Sequence, residues 1–266
     1  IDATGPAAPL AQALGVTDLE RNRQAIGIEF EFEGVDVTHD DYADLRNAMM
    51  LRLDHDLAPG GYSWIFHTGG DSAKVGLCYI QNDYHRERAR DGMGIDDYLD
   101  YWLDTDPRFD DATRLEGKQH RGSAHIQLPG DMCTDNFIAI GDTVPTVDPL
   151  WGEGIHKGMK SARAAAITVD SCLTPSEPDT SAEEMATYEN LWHSQVAPRA
   201  RARLLMTELL YFAPNHRYDT LMADLERTDE DTLSEVNAGN KLAMRHILHL
   251  SDLPLLAKFV RQRIGN

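Results

Sequence analysis

Residues 136–166 read NFIAIGDTVPTVDPLWGEGIHKGMKSARAAA, and this stretch decides the fold. A short apolar run, residues 137–140, ends at Gly141 and Asp142, which predicts a buried strand with one carboxylate at its carboxyl end. A glycine-containing turn and an Ala-, Lys- and Arg-rich segment follow, which predicts a helix that begins near Gly154. Such a strand end and helix start form a ligand site in open α/β sheets. The alternative is an ordinary strand-to-helix turn.

The pattern resembles the second flavin-contacting motif of glutathione-reductase-like flavoproteins with the p-hydroxybenzoate hydroxylase fold, and is most similar to the geranylgeranyl reductase branch. The residues that carry the resemblance are Gly141, Asp142, Asp148, Pro149, Leu150, Gly152, Glu153, Gly154, Ile155, Lys160, Ser161, Arg163, Ala165 and Ala166. The resemblance implies an α/β (α+β) fold. Its expected parts are the carboxyl-terminal part of an FAD domain, an antiparallel-sheet substrate domain and a helical tail.

The resemblance also implies a cofactor site. In that family the aspartate hydrogen-bonds the ribityl chain of FAD, and the Gly-Glu-Gly-Ile backbone faces the isoalloxazine, so that the helix dipole acts on charge near N1 and O2. We therefore expect the FAD-binding residues to be Ala3, Gly141, Asp142, Pro149, Gly152, Gly154 and Ile155. The sequence names no catalytic acid and no metal ligands.

The first residues, IDATGP, carry no initiator Met. In flavoproteins of this kind an Asp-Ala-Thr-Gly strand closes the FAD-binding sheet, downstream of a βαβ unit with a G-x-G-x-x-G motif that this chain lacks. We expect a carboxyl-terminal portion without the dinucleotide half. The expected divisions are 1–20 (end of the FAD domain), 21–130 (substrate sheet), 131–175 (returning strand and helix) and 182–266 (helical region).

Three aromatic residues, Tyr62, Trp64 and Phe66, alternate along one predicted strand and therefore share a face. By pattern alone, the core face of a sheet is the favoured interpretation. The resemblance favours another, because geranylgeranyl reductases have a Gly-Tyr-x-Trp-x-Phe strand that contacts the isoprenoid. That strand is usually followed by Pro-Lys, where this chain has His67 and Thr68. We expect the three aromatics to bind an isoprenoid lipid substrate.

Periodicity predicts the remaining elements. Segments in which apolar and acidic residues alternate, or which flank a Gly-Gly turn, are predicted strands. Segments in which apolar residues recur every three or four positions are predicted helices. The predicted strands are 25–37, 49–54, 62–67, 74–81 and 113–128. The predicted helices are 7–14, 94–105, 154–173 and a series from residue 182 onward.

Composition limits the partners and the compartment. The chain has 44 Asp and Glu against 25 Lys and Arg, a net charge of −19, and only 6 of its basic residues are Lys. This balance is typical of adaptation to high salt and argues against a nucleic-acid partner. Three cysteines without a C-x-x-C pair, and no apolar run of about 18 residues, indicate a cytoplasmic protein. The basic end, 255–263, suggests peripheral contact with the inner face of the cell membrane, and a plain surface helix is the alternative.

The sequence therefore predicts an FAD-dependent reductase that hydrogenates C=C bonds of geranylgeranyl chains in archaeal lipid biosynthesis, with NAD(P)H or ferredoxin as electron donor. The alternatives are a monooxygenase or a quinone oxidoreductase of the same fold, and a non-catalytic fragment. The histidine pair His246 and His249 has helical spacing but no third metal ligand. His120 and His125 are candidate proton donors, although solvent-facing side chains are the simpler interpretation.

Overall fold

The computed structural model of the chain describes residues 1–249, 252–254 and 257. The chain forms two compact units. The first contains residues 1–23, 124–210 and the described residues from Thr220 onward. The second, the sheet unit, contains Gln24–Ser123 and Tyr211–Asp219.

The sheet unit is built on five strands in the order β2-β3-β4-β1-β5. The strands are β1 (Gln24–Glu33), β2 (Met49–Arg52), β3 (Gly61–Gly69), β4 (Ser72–Ile80) and β5 (Thr113–His125). The pairs β1–β4, β3–β4 and β2–β3 are antiparallel, and the predicted hairpin with its glycine turn is confirmed. β1 ends before the predicted residue 37 because Gly34 has φ +77°, a left-handed conformation that leaves the strand.

One face of this sheet forms the hydrophobic core. Alternation along β1 buries Ile28, Phe30 and Phe32 on that face. The sheet unit also contains the helices α2 (Asp83–Arg88) and α3 (Ile95–Thr105). Helix α3 packs its buried residues into the same core, as its helical spacing predicts. The core face of the sheet is therefore covered.

The aromatic residues of β3 lie on the opposite face. Ser63 and Ile65 point to the core and are fully buried, whereas Tyr62, Trp64 and Phe66 are half-buried on the other side. The expectation from pattern alone, that the aromatics form the core face, is therefore wrong. It fails because alternation shows which residues share a face and not which face another element covers.

The three rings form a continuous aromatic ladder, by which we mean Tyr62, Trp64 and Phe66. Ring centroids are 5.7 Å apart between Tyr62 and Trp64, and 6.1 Å apart between Trp64 and Phe66. Trp64 is paired with Gly76 of β4, which is paired in turn with Glu29 of β1. The indole extends across Gly76, and its Nε1 donates a hydrogen bond to Glu29 Oε2 at 2.9 Å. A glycine is required at position 76 because the ring occupies the space of a side chain.

Residues Tyr211–Asp219 complete the sheet unit from a distant part of the sequence. The buried His55 accepts a hydrogen bond at Nδ1 from the Gly60 N–H (3.1 Å), so Nε2 carries the hydrogen and donates to the Ala213 carbonyl (2.7 Å). Burial lowers the pKa of His55, which keeps the ring neutral. Tyr211 stacks on Tyr62 with a centroid distance of 5.9 Å.

The first unit contains a two-stranded sheet and the long helix predicted from the sequence. Its elements up to residue 173 are α1 (Pro9–Ala13), β6 (Cys133–Thr134), β7 (Phe137–Ile138) and α4 (Ile155–Leu173). The predicted strand 137–140 is thus shorter than expected. Its continuation makes a parallel bridge between Ala139 and Asp2, and Gly141 then turns the chain with φ +62°.

The region from residue 182 is helical, as predicted. The elements are α5 (Ala182–Met185), α6 (Thr187–Leu191), a π-helical turn (Trp192–Val196), α7 (Ala200–Phe212), α8 (Asn215–Glu226) and α9 (Glu230–Asn237). The predicted basic end, 255–263, lies outside the described residues except for residue 257. Within the part of the chain that the structure describes, no helix combines the length and apolar character needed to span a bilayer.

We predict that Gly76→Ala destabilises the protein by about 2 kcal/mol or more, because the added methyl group would collide with the Ile28 carbonyl oxygen and the Trp64 indole. Gly122→Ala is the matched control, since Gly122 also lies in a strand but has open space at its Cβ position. Urea unfolding of both variants measures the difference. Equal destabilisation by the two substitutions would contradict the close approach at Gly76.

Candidate functional site

The carboxylate of Asp142 lies at the amino terminus of α4. Gly154 is the N-cap residue of that helix, and a Cβ atom added to Gly154 would lie 3.5 Å from both Asp142 carboxylate oxygens. Gly141 precedes the carboxylate with φ +62°, a conformation that a side chain disfavours. The structure therefore brings Gly141, Asp142 and Gly154 together, as the sequence predicts.

Asp142 has an unusual electrostatic environment. Burial raises the pKa of its carboxyl group above the ordinary value. Among the residues that the structure describes, none donates a hydrogen bond to this carboxylate within the usual geometric limits. A partly buried carboxylate without a donor is suited to accept hydrogen bonds from a ligand that carries hydroxyl groups.

Ala3 lies beside the same strand end. The neighbouring Asp2 donates its N–H to the Ile138 carbonyl (2.8 Å) and accepts from the Ile140 N–H (2.9 Å). The Gly5 N–H donates to Thr143 Oγ1 at 3.0 Å. The first residues of the chain thus run alongside the segment that carries Asp142, which is where the sequence predicts Ala3.

The turn before α4 is organised by Asp148. Its Oδ1 accepts hydrogen bonds from the backbone N–H groups of Leu150 (3.0 Å) and Trp151 (3.4 Å). Arg203 of α7 binds both carboxylate oxygens, with Nε–Oδ2 and Nη2–Oδ1 distances of 2.6 Å. Thr207, one turn further along α7, donates to the Pro149 carbonyl at 2.7 Å. A buried, bidentate ion pair therefore holds this turn on α7.

The other predicted flavin-binding residues differ in exposure. Pro149 is buried beneath the turn, whereas Gly152 is exposed with φ +70°. Ile155, the first residue of α4, is 86% exposed, and Met159 one turn later is 70% exposed. The first two turns of α4 therefore present two exposed apolar side chains near the helix amino terminus, where backbone N–H groups have no partner within the helix.

The body of α4 packs against the strand end. Gly158 approaches the Gly141 backbone, where a Cβ on Gly158 would lie 3.9 Å from the Gly141 Cα. The Gly141 N–H donates to Ser161 Oγ at 3.3 Å, and Ser161 is hydrogen-bonded to the buried Tyr188 hydroxyl at 2.5 Å. These contacts position the helix start relative to Gly141.

The sheet unit carries a second candidate site of its own. The aromatic ladder is extended by Leu51 and Met49 of β2, which pair with Trp64 and Phe66 and are 42% and 78% exposed. Sequence reasoning missed both residues. A charged group borders the ladder, because Lys74 lies 3.4 Å from the Glu29 carboxylate that Trp64 contacts. The face is therefore apolar with a charged border.

The histidines considered from the sequence differ in burial and in hydrogen-bond partners. His120 is exposed, whereas His125 is buried and burial lowers its pKa, so the solvent-facing interpretation is wrong for His125. His125 Nδ1 is buried without a hydrogen-bond partner. His249 Nε2 lies 2.7 Å from Asp224 Oδ2. The ring of His249 is thus paired with a carboxylate.

Comparison with known sequences identifies relatives of the chain. No protein-family model matches it. The digeranylgeranylglycerophospholipid reductase of Haloferax volcanii is 64% identical over 266 residues, which is 100% of this chain and 65% of that protein. The resemblance to the geranylgeranyl reductases is confirmed. The haloarchaeal source of this relative agrees with the adaptation to high salt that the acidic composition of this geranylgeranyl reductase-like chain predicts.

A more distant relative is the digeranylgeranylglycerophospholipid reductase of Methanoculleus marisnigri, which is 30% identical over 200 residues. That alignment covers 74% of the geranylgeranyl reductase-like chain and 44% of the relative. The chain thus spans less than two thirds of the length of either relative.

Solved structures confirm the predicted fold class. A geranylgeranyl bacteriochlorophyll reductase-like protein of Thermoplasma acidophilum aligns with a TM-score of 0.77 and 20% identity, over 95% of this chain and 60% of that chain. A flavin-dependent brominase aligns with a TM-score of 0.60 and 16% identity, over 100% of this chain and 63% of the brominase chain. At these identities the similarity establishes the fold of the geranylgeranyl reductase-like chain.

We predict that Asp148→Asn destabilises the protein by about 3 kcal/mol, because it leaves the Arg203 guanidinium buried without its counter-charge. The side chains of Asp148 and Arg203 are only 4% and 12% exposed, so water screens the pair weakly. Urea unfolding measures the change in the free energy of unfolding.

Asp44→Asn is the matched control for this prediction. Asp44 forms the same kind of ion pair with Arg46, but both side chains are largely exposed. We expect no measurable loss of stability from the control. An Asp148→Asn variant as stable as the control would show that the ion pair does not hold the turn.

Proposed function

We propose that this chain is part of an FAD-dependent reductase that hydrogenates C=C bonds of the geranylgeranyl chains of archaeal membrane glycerophospholipids. The observation that carries the proposal is the 64% identity, over all 266 residues, to a protein named for that reaction. Two features support it separately, namely the Asp142 carboxylate at the α4 amino terminus in the first unit and the aromatic ladder in the sheet unit, because each supplies a feature that the reaction requires.

The residues around Asp142 fit a flavin. The Asp142 carboxylate would accept hydrogen bonds from ribityl hydroxyl groups, which would satisfy an acceptor that the described residues leave without a donor. Backbone N–H groups at the start of α4, around Gly154 and Ile155, would face the electron-rich edge of the ring system. Ala3, Gly141, Pro149 and Gly152 would shape the surrounding backbone.

The aromatic ladder fits an isoprenoid chain. Tyr62, Trp64 and Phe66 offer a row of flat apolar surfaces on the face of the sheet that the core does not use. An isolated alkene has no carbonyl for the protein to polarise, so rate enhancement depends on holding the reacting carbon close and excluding water. The hydrogen bond from Trp64 to Glu29 would keep the indole in one orientation during binding.

The reaction also needs a source of electrons and access to a membrane lipid. When bound, FAD in its reduced form would supply a hydride to one alkene carbon while a proton is added to the other, and NAD(P)H or ferredoxin would reduce the flavin again. The basic end of the chain, residues 255–263, would attract anionic headgroups and keep the enzyme at the inner face of the cell membrane.

We predict opposite effects of Asp142→Asn on stability and on flavin retention. The raised pKa of Asp142 means that its ionised form destabilises the fold, so wild-type stability falls as pH rises through the folded-state pKa. The neutral variant avoids this loss, and its stability gain should be larger at pH 7 than at pH 4. Its FAD content should fall by about tenfold, because amide hydrogen bonds are weaker than charge-assisted ones.

Flavin absorbance of the purified protein and urea unfolding at both pH values measure the two effects of Asp142→Asn. Wild-type FAD content in a stable variant would count against the assignment of Asp142. A loss of flavin together with a loss of stability would indicate simple misfolding.

We predict that Trp64→Leu lowers the saturation of geranylgeranyl chains by about tenfold while FAD content stays near the wild-type level, because it removes a substrate contact and not a cofactor contact. The measurement is mass spectrometry of membrane lipids from a deletion strain that expresses each variant. Tyr42→Leu is the control, since Tyr42 is an aromatic of the same unit that contacts Arg108 and not the ladder. Equal losses of flavin and saturation in Trp64→Leu would assign Trp64 a structural role.

A further inference from the structure

The first unit contains a cavity of about 510 Å³ to which the proposed function assigns no ligand, although Pro149 belongs both to its lining and to the proposed flavin site. Its walls come from residues 127–129, the turn 145–149, the first turn of α4, and residues 196–200. We call it the Thr146 cavity after a residue that lines it. Its volume lies in the range of sites that bind small organic molecules.

Two buried polar side chains of this cavity have no hydrogen-bond partner. Thr146 is 1% exposed and its Oγ1 is unpartnered, and Trp192 is 2% exposed with an unpartnered Nε1. Both residues line the cavity. A buried polar group without a hydrogen-bond partner destabilises a protein, so two among the residues of one cavity point to a ligand that completes them. Because the indole N–H can only donate, that ligand must offer acceptors.

The charged residues of the cavity also favour an acceptor. Three cations line it, Lys157, Arg199 and Arg203, against two carboxylates, Asp148 and Glu153. Both oxygens of Asp148 are already bound by Arg203. Arg199 is paired in turn with Glu235, at 3.3 Å. Among the described residues, Lys157 is therefore the lining cation that a ligand anion would meet, in a chain whose net charge of −19 repels anions elsewhere.

Lys157 is the cation best placed to meet a ligand. Its ammonium donates to the Val196 carbonyl at 3.1 Å, which leaves two further N–H donors. Burial lowers the pKa of Lys157, so the charged form is destabilised in the absence of an anion. An oxyanion beside the ammonium would reverse that effect. Lys157, Thr146 and Trp192 together supply donors of the kind that phosphate oxygens accept.

We propose that the Thr146 cavity binds the phosphate group of a phosphate ester. The donors on the cavity residues are of the kind that an oxyanion accepts, and the volume leaves room for an organic substituent on the phosphate. The lipid source is the glycerophosphate headgroup of the substrate, and this assignment rests on the proposed function. The oxyanion site itself rests only on the cavity and its donors.

The test is calorimetric titration of the intact, flavin-loaded protein at constant potassium chloride concentration. The probes are glycerol phosphate, inorganic phosphate and adenosine monophosphate. We expect glycerol phosphate to bind at least about fivefold more tightly than either of the others. Thr146→Val and Trp192→Phe should each weaken its binding by about fivefold, and Lys157→Met by about tenfold.

Thr17→Val is the matched control, because Thr17 Oγ1 is also buried without a partner but does not line the cavity. Its affinity for glycerol phosphate should stay within about twofold of wild type. Absence of binding by all three probes, or equal weakening by Thr17→Val, would overturn the site. Equal binding of inorganic phosphate, or tighter binding of the nucleotide, would overturn the headgroup as its source. Flavin content and lipid saturation report separately on the proposed function.

Discussion

The buried ion pair between Asp148 and Arg203 is the constraint on which two sites of the first unit depend, the Asp142 carboxylate at the α4 amino terminus and the Thr146 cavity. The ion pair ties the turn before α4 to α7. The same carboxylate also accepts a hydrogen bond from the backbone N–H of Leu150 within the turn. With the turn held in this way, α4 begins at Ile155 and the Asp142 carboxylate meets its amino terminus. Residues of the same turn also line the Thr146 cavity. One pair of charges thus shapes two surfaces with different chemistry.

The sheet unit separates stability from recognition by using the two faces of one sheet differently. The covered face carries the core residues of β1 and α3, and the other face carries the aromatic ladder. Gly76 makes the second face possible, because the absence of its side chain lets the Trp64 indole lie across β4 and reach Glu29. The aromatic rings are therefore fixed by backbone geometry and one hydrogen bond, while the core remains independent of them.

Local signals made much of this structure predictable. The hairpin of β3 and β4 follows from alternation on either side of a glycine turn, and the start of α4 follows from the glycines that precede it. The partnership of Asp148 with Arg203 was not predictable, because it joins residues 55 positions apart and nothing near either residue indicates the other. The sequence also could not predict which face of the sheet carries the aromatic ladder, because that depends on the face against which α3 packs. The strand before Asp142 was overestimated because an apolar run does not show how far pairing continues.

The dependence of the sheet unit on Tyr211–Asp219 has a consequence for how the chain acquires its structure during translation. All five strands have left the ribosome long before the Ala213 carbonyl that pairs with the His55 ring, and before the Tyr211 ring that covers Tyr62. Until that late segment arrives, a polar ring and one end of the aromatic ladder lack their partners. The nascent sheet therefore passes through an interval in which these groups are exposed to chaperones and to other chains, and the interval ends only when residues 211–219 have been synthesised.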